Sequence, residues 1–153
     1  MIRMSRLTDY AVVVLTRMAL CPGRPAYTAA ELADQSGVPA PTVVKVLKQL
    51  ARAGIVAAQR GARGGYRLAR SPGEVTLKEI IGAFDGPIRI ADCVGGGGRG
   101  CRIEETCPTR GVWERVNEAI VDTLGGITLA EMCANPVVPA PAKLEPRAGG
   151  MMV

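Results

Sequence analysis

Apolar residues recur at spacings of three and four along the start of the chain, at Leu7, Tyr10, Ala11, Val14, Leu15 and Met18. That spacing gives one stripe of a half-buried helix, predicted from Ser5 to Leu20 and stopped by Pro22, Gly23 and Pro25. Thr28 followed three residues later by Glu31 has capping-box spacing and predicts a short helix through Leu32 to about Gln35. Gly37 and Pro39 make the next turn. Pro41 suits the first turn of a third helix with Val43, Val46, Leu47 and Leu50 on its apolar face, and Gly54 supplies a left-handed stop. Its opposite face carries Thr42, Lys45, Lys48, Gln49 and Arg52. Two helices joined by a glycine-containing turn, the second basic on its outer face, are a helix-turn-helix candidate.

The period then changes. Ile55 to Arg60 and Tyr66 to Ala69 read as short strands around the glycine-rich turn from Gly61 to Gly65, the shape of a wing. Ser71-Pro-Gly reads as a linker. Val75, Leu77, Ile80, Ile81 and Phe84 predict a helix from Thr76 to about Phe84, closed by Gly86 and Pro87. From Ile90 to Thr106 there is almost no periodicity, and the run Gly95 to Gly98 cannot fold by itself. Pro108 is expected to open a last long helix with Trp113, Val116, Ile120 and Leu124 on one stripe. Ile127 to Met132 predicts one more short helix, and the Pro- and Ala-rich residues 135–153 read as a disordered tail.

The expected fold is mainly α with a small β-hairpin wing. It divides into a winged helix-turn-helix unit over 1–86, a cysteine-bearing loop over 87–107, and a dimerisation helix with a short C-terminal helix over 108–134. A lone amphipathic helix beyond a loop has too little core of its own. Pairing with the same helix of a second subunit is its natural burial, so a two-fold homodimer is expected.

Charge narrows the partner. The 153 residues carry 19 basic and 14 acidic side chains, a formal +5, and the excess is dense between Lys45 and Arg70. Such a surface suits a polyanion, although charge alone also serves solubility. With the wing added, double-stranded DNA is the expected partner. Thr42, Val44, Lys45 and Lys48 lie early enough on the third helix to meet bases and phosphates, while Arg60, Arg63 and Arg67 could straddle phosphates or enter a minor groove. No apolar run approaches the roughly 20 residues needed to span a bilayer, so a cytoplasmic protein with no membrane partner is expected.

Cysteine adds chemistry. There are five, and Cys93, Cys101 and Cys107 stand close together, with seven and then five residues between them. An odd count without the spread of a secreted framework favours a metal or redox site over disulfides. Histidine is absent, so any metal must be held by thiolates, carboxylates or backbone, and imidazole catalysis is excluded. With no serine motif either, an enzyme is not expected. Soft thiolates select iron-sulfur clusters, zinc or copper(I), whereas structural zinc takes four closed ligands and lacks a nearby fourth Cys here. A plain free-thiol or disulfide loop is the bland alternative. Asp9, Asp92, Glu104 and Glu105 are candidate fourth ligands, Asp9 also being a favourable charge at a helix N-terminus. Cys21 and Cys133 read as small buried hydrophobes.

Three separated motifs, Arg6-Leu-Thr-Asp-Tyr-Ala11, Arg60-Gly-Ala-Arg-Gly-Gly-Tyr66 and Cys93, Cys101, Cys107-Pro-Thr-Arg-Gly-Val-Trp113, together resemble the Rrf-two family of bacterial regulators. The resemblance runs from about Met1 to Ala134, and the opening looks most like the Suf-type branch. It implies a winged helix, a long dimerisation helix and an iron-sulfur cluster, 2Fe-2S or 4Fe-4S, held near the dimer interface by the three cysteines. Members that regulate cluster assembly add a histidine three residues after the third cysteine, where this chain has Arg110. Nitric-oxide-sensing members use an aspartate from the partner's first helix, matching Asp9. The expected function is a cluster-dependent repressor of iron-sulfur assembly genes. The alternatives are a nitric-oxide or redox sensor of the same family, or a small iron-sulfur carrier.

Overall fold

The computed structural model describes residues 3–94 and 101–134. The glycine run Gly95 to Gly98 and the tail 135–153, expected as loop and disorder, lie outside the described residues. Helix α1 (Arg6–Ala19) starts on Ser5, whose Oγ accepts from the Thr8 amide at 3.2 Å. Helix α2 (Ala29–Ser36) begins on the complete Thr28–Glu31 capping box and ends on Gly37 at φ +72. Helix α3 (Ala40–Arg52) carries Pro41 in its first turn. The predicted stripes meet in one core of Val14, Leu15, Leu32, Val43, Leu47 and Leu50, all fully buried. Each such side chain contributes about 1.5–3 kcal/mol of transfer free energy, which outweighs the weak intrinsic helicity of the short α2.

Strands β1 (Val56–Gln59) and β2 (Gly65–Leu68) pair antiparallel, with Val56 opposite Leu68 and Gln59 opposite Gly65. The hairpin is fastened at its base as well. Tyr27 and Tyr66 exchange two backbone hydrogen bonds, at 2.8 and 2.7 Å, an added bridge that residue patterning did not suggest. Gly65, at φ +152, lies so close to the Tyr27 carbonyl that a side chain would collide with it. Gly64 has no more room, because a Cβ there would stand 2.6 Å from the Gln59 carbonyl oxygen.

The segment expected as a linker is an ordered corner. Pro72–Glu74 forms a 3-10 turn in which Glu74 accepts from the Ser71 amide and hydroxyl, at 3.0 and 2.6 Å. Capping-box spacing at Ser71 explains the difference. Helix α4 (Leu77–Asp85) starts on the Thr76–Glu79 box. The long helix α5 (Arg110–Gly126) begins two residues after Pro108, and α6 (Leu129–Ala134) starts on a reciprocal Thr128–Glu131 pair. Helix α6 returns to the winged-helix core. Leu129 N donates to the Val75 carbonyl at 2.8 Å, Leu77 N donates to the Ile127 carbonyl at 2.9 Å, and the Leu129 side chain is fully buried. Among the described residues, no helix is long and apolar enough to cross a membrane.

Truncating Leu129 to Ala is expected to lower the unfolding free energy by about 2–5 kcal/mol in chemical denaturation. An unchanged midpoint would place α6 outside the core.

Candidate nucleic-acid interface and cysteine site

The buried stripe of α3 forces its other residues outward. Val44, Lys45 and Lys48 are exposed and Thr42 is half-buried. Gln49, expected on that outer face, instead turns inward and donates from Nε2 to the Ala83 carbonyl of α4 at 2.7 Å. Arg60 and Arg63 are exposed near the wing turn, and Arg67 is exposed on β2. Every charged residue from Lys45 to Arg70 is basic. Among the described residues, the basic groups divide by partner. Arg24 pairs with Glu31 and Arg70 with Glu79, whereas Lys45, Lys48, Arg60, Arg63 and Arg67 make no ion pair. Unneutralised cations around a groove-sized helix and a wing are the footprint a phosphate backbone requires.

The last turn of α4 is a junction. Asp85 accepts from the Ser5 amide at 3.1 Å and from the buried Thr8 hydroxyl at 2.7 Å, tying α4 to the start of α1. Burial alone would raise the Asp85 carboxyl, but the Ser5 and Thr8 hydrogen bonds outweigh it and hold it below the usual carboxylate range. Asp9 follows directly, exposed in the first turn of α1, where it lines a surface depression with Arg3, Arg6 and Asp85.

Beyond α4 the chain turns at Gly86, φ +78, and is caught again at Ile90, whose amide donates to Oδ1 of Asn117 on α5 at 3.1 Å. Asn117 is only 8% exposed. Cys93, Cys101 and Cys107 then line a single open hollow of about 540 Å³, together with Asp92 and Trp113. All three thiols are free and partly exposed. They share the hollow without converging, since no three Cys, Asp or Glu groups among the described residues stand at metal-ligating separations. Cys107 Sγ lies 3.4 Å from the Thr109 hydroxyl. Hydrogen bonds from the Thr109 hydroxyl and backbone, with smaller help from Arg110, hold this thiol below its ordinary range.

The carboxylates separate on geometry. Glu104 lies 3.6 Å from Arg110, which also binds Glu114 at 2.9 Å. Asp92 alone of the four candidates lines the hollow, and Asp9 lies elsewhere on its own chain. Cys133 is half-buried, and burial pushes its thiol up. Cys21 corrects the expectation of a buried hydrophobe. It is exposed, because it falls in the turn after α1, past the last residue the core covers.

The stripe of α5 divides too. Ile120 and Leu124 line a cleft with Ile81 and Ile88, while Val112, Trp113 and Val116 remain 57%, 46% and 40% exposed. Sequence reasoning missed Gln49, Asp85 and Asn117 as working polar groups. An amide or carboxylate on a helix carries no periodic signal that tells a hydrogen bond inward from solvation outward.

A two-helix reader with unpaired cations, a glycine-pinned wing and a long helix leading away define a winged-helix transcriptional regulator. Residues 4–135 match the Rrf2 (Rrf-two) family, described as iron-dependent transcriptional regulator, and the chain belongs to that family. The HTH-type transcriptional regulator IscR of Xenorhabdus nematophila is 30% identical over 133 residues, 85% of this chain and 80% of that one. Among solved structures, T. potens IscR is 27% identical with a TM-score of 0.68, covering 92% of this chain and 94% of its own. CymR, the global cysteine regulator of B. subtilis, shares the fold with a TM-score of 0.73 at 24% identity, covering 88% and 98%. These relatives are regulators rather than enzymes.

Because the Asp85 carboxyl is depressed in the folded state, its stabilisation is present above the ordinary carboxylate range and lost as pH falls through the folded value. Asp85→Asn should therefore cost about 0.5–1.5 kcal/mol at neutral pH, and the gap from wild type should close in acid. Denaturation curves across pH check this, and a gap that persists in strong acid would refute the ionic account.

Proposed function

We propose that this regulator holds an iron-sulfur cluster, 2Fe-2S or 4Fe-4S, on Cys93, Cys101 and Cys107, and that the cluster sets its binding to double-stranded DNA. The observation that carries the proposal is the shared hollow, lined by Cys93, Cys101 and Cys107 with their thiols free, of which Cys107 is held below its ordinary range. The donor set fits, since soft sulfur without imidazole suits iron-sulfur chemistry, and the family description names iron dependence. When bound, the cluster supplies iron whose oxidation or loss alters what the loop is fastened to.

The chain's own residues do the rest. Trp113 walls the hollow, Asn117 fixes its entry at Ile90, and Thr109 with Arg110 favours the charged form of Cys107. The fourth ligand is Asp9 of the partner subunit, which is exposed and lies away from the hollow of its own chain. Sharing a cluster this way requires a homodimer, and the uncovered Val112, Trp113 and Val116 of α5 supply an apolar seam for one. The reading unit is 1–86, the cluster loop 87–107 and the pairing segment 108–134. Thr42, Val44, Lys45 and Lys48 meet the major groove while Arg60, Arg63 and Arg67 meet phosphates or the minor groove. The regulated genes are those of iron-sulfur assembly, with the regulator acting as a repressor.

Anaerobically purified wild type should be coloured and contain iron and sulfide. Cys101→Ala should lose the chromophore, and Asp9→Ala should shift or weaken it. Colourless, iron-free protein after reconstitution would sink the cluster. Replacing Lys45 or Arg63 by Ala should weaken retardation of a palindromic operator and lower the slope of log affinity against log salt by about one each; an unchanged slope removes that side chain from the interface. Val116→Glu should give a monomer in sedimentation if α5 is the seam.

A further inference from the structure

The turn between Cys101 and Cys107 is held by local backbone bonds. Glu104 N donates to the Cys101 carbonyl at 3.2 Å, Thr106 N to the Ile103 carbonyl at 3.1 Å and Arg110 N to the Cys107 carbonyl at 3.4 Å, all between residues three apart. Apolar burial does not anchor this turn, since Ile103 is 57% exposed. Of the five residues between the two cysteines, Glu104 alone is not exposed. Its side chain is 23% exposed, and its carboxylate faces the Arg110 guanidinium at 3.6 Å. A carboxylate better covered than the isoleucine beside it reverses the order that transfer from water sets, and the arginine accounts for the reversal.

Arg110 stands in a disfavoured place for a cation. It is the first residue of α5, whose first turn has neither an acidic residue nor a side-chain cap, whereas α2 and α4 each begin on a complete Thr–Glu box. The unbonded amides at a helix N-terminus favour negative charge, so a guanidinium there works against the helix dipole. Glu114, one turn on, accepts from Nε at 2.9 Å, which leaves Nη1 directed to Glu104. One planar fork thus joins the helix to the cysteine turn, a geometry that the single ammonium of a lysine does not reproduce. Among the described residues, it makes the one ion pair between that turn and α5. We propose that Arg110 is a positioning residue for Cys101 and Cys107, tying their turn to α5 through Glu104. The role rests on the reading of these cysteines as cluster ligands. No three donor groups among the described residues stand at ligating separations, so the turn must adjust to hold a cluster, and a tied turn opens less often to release one.

The test compares full-length wild type, Glu104→Gln, Arg110→Gln, the double variant and Arg110→Lys by amide hydrogen exchange. In metal-free protein, exchange over residues 101–110, divided by that of the same peptide unfolded, should quicken about twofold to fivefold in either Gln variant. The double variant should match the faster of the two, because one pair is broken only once, and Arg110→Lys should recover part of the protection. Unchanged exchange, additive effects of the two Gln substitutions, or equal loss in the Lys and Gln variants of Arg110 overturns the tie. In reconstituted protein, iron transfer to a colorimetric chelator should quicken in the same order as exchange. A release rate that does not follow that order removes the positioning role. Exchange needs no metal, so a protein that never takes up iron overturns the cluster reading and leaves the tie decided by the exchange rates.

Discussion

The last turn of α4 is the constraint on which the other parts of this structure depend. Its Ala83 carbonyl holds Gln49 of α3, and its Asp85 carboxylate holds the first turn of α1 through Ser5 and Thr8. A few residues later, the same strand of chain is held by Asn117 of α5. Thr8 and Asn117 are the two buried polar side chains among the described residues, and both bond to this stretch. Desolvated polar groups stay only where they are satisfied, so these bonds fix geometry more than they add stability. Two hydrogen bonds and the span from Ala83 to Ile90 separate α5 from α3. Continuity of this kind becomes coupling when one end has two arrangements, as the proposed cluster would give the cysteine segment.

Three cysteines show how place decides chemistry in one small chain. Cys107 is drawn toward thiolate by Thr109 and Arg110, Cys133 is pushed the other way by burial, and Cys21 stands in the open beside a buried phenol. With no histidine to titrate near neutrality, sulfur carries most of the reactive potential. Arg110 sits where the resemblance to cluster-assembly regulators leads one to expect an imidazole. It cannot ligate, and it acts through charge, bound to Glu114 and facing Glu104.

Much of this fold was legible in the sequence, and for a physical reason. Helical stripes such as Val43, Val46, Leu47 and Leu50 must be buried, and boxes such as Thr28–Glu31 mark where helices start. Both signals are local. The misses came where geometry is long-range: the Tyr27–Tyr66 bridge, the return of Leu129 to the core, and Gln49 turned inward toward Ala83. The corner at Ser71 was a local signal left unread, since it repeats the spacing seen at Thr28. For the cysteines, sequence spacing pointed to one site; the fold lines one hollow with all three, without bringing them to metal-ligating separations. It also separates the carboxylates near them, which spacing could not rank.

The wing has one further consequence. Because Gly64 and Gly65 are wedged against the Gln59 and Tyr27 carbonyls, and Tyr66 is bonded to Tyr27, the hairpin cannot swing as a loose arm. If the wing meets DNA as proposed, its backbone would surrender little conformational freedom there, and more of each arginine's attraction would survive as net affinity. Sequence drift across relatives should therefore spare these two glycines while the turn residues between Gln59 and Gly64 diverge.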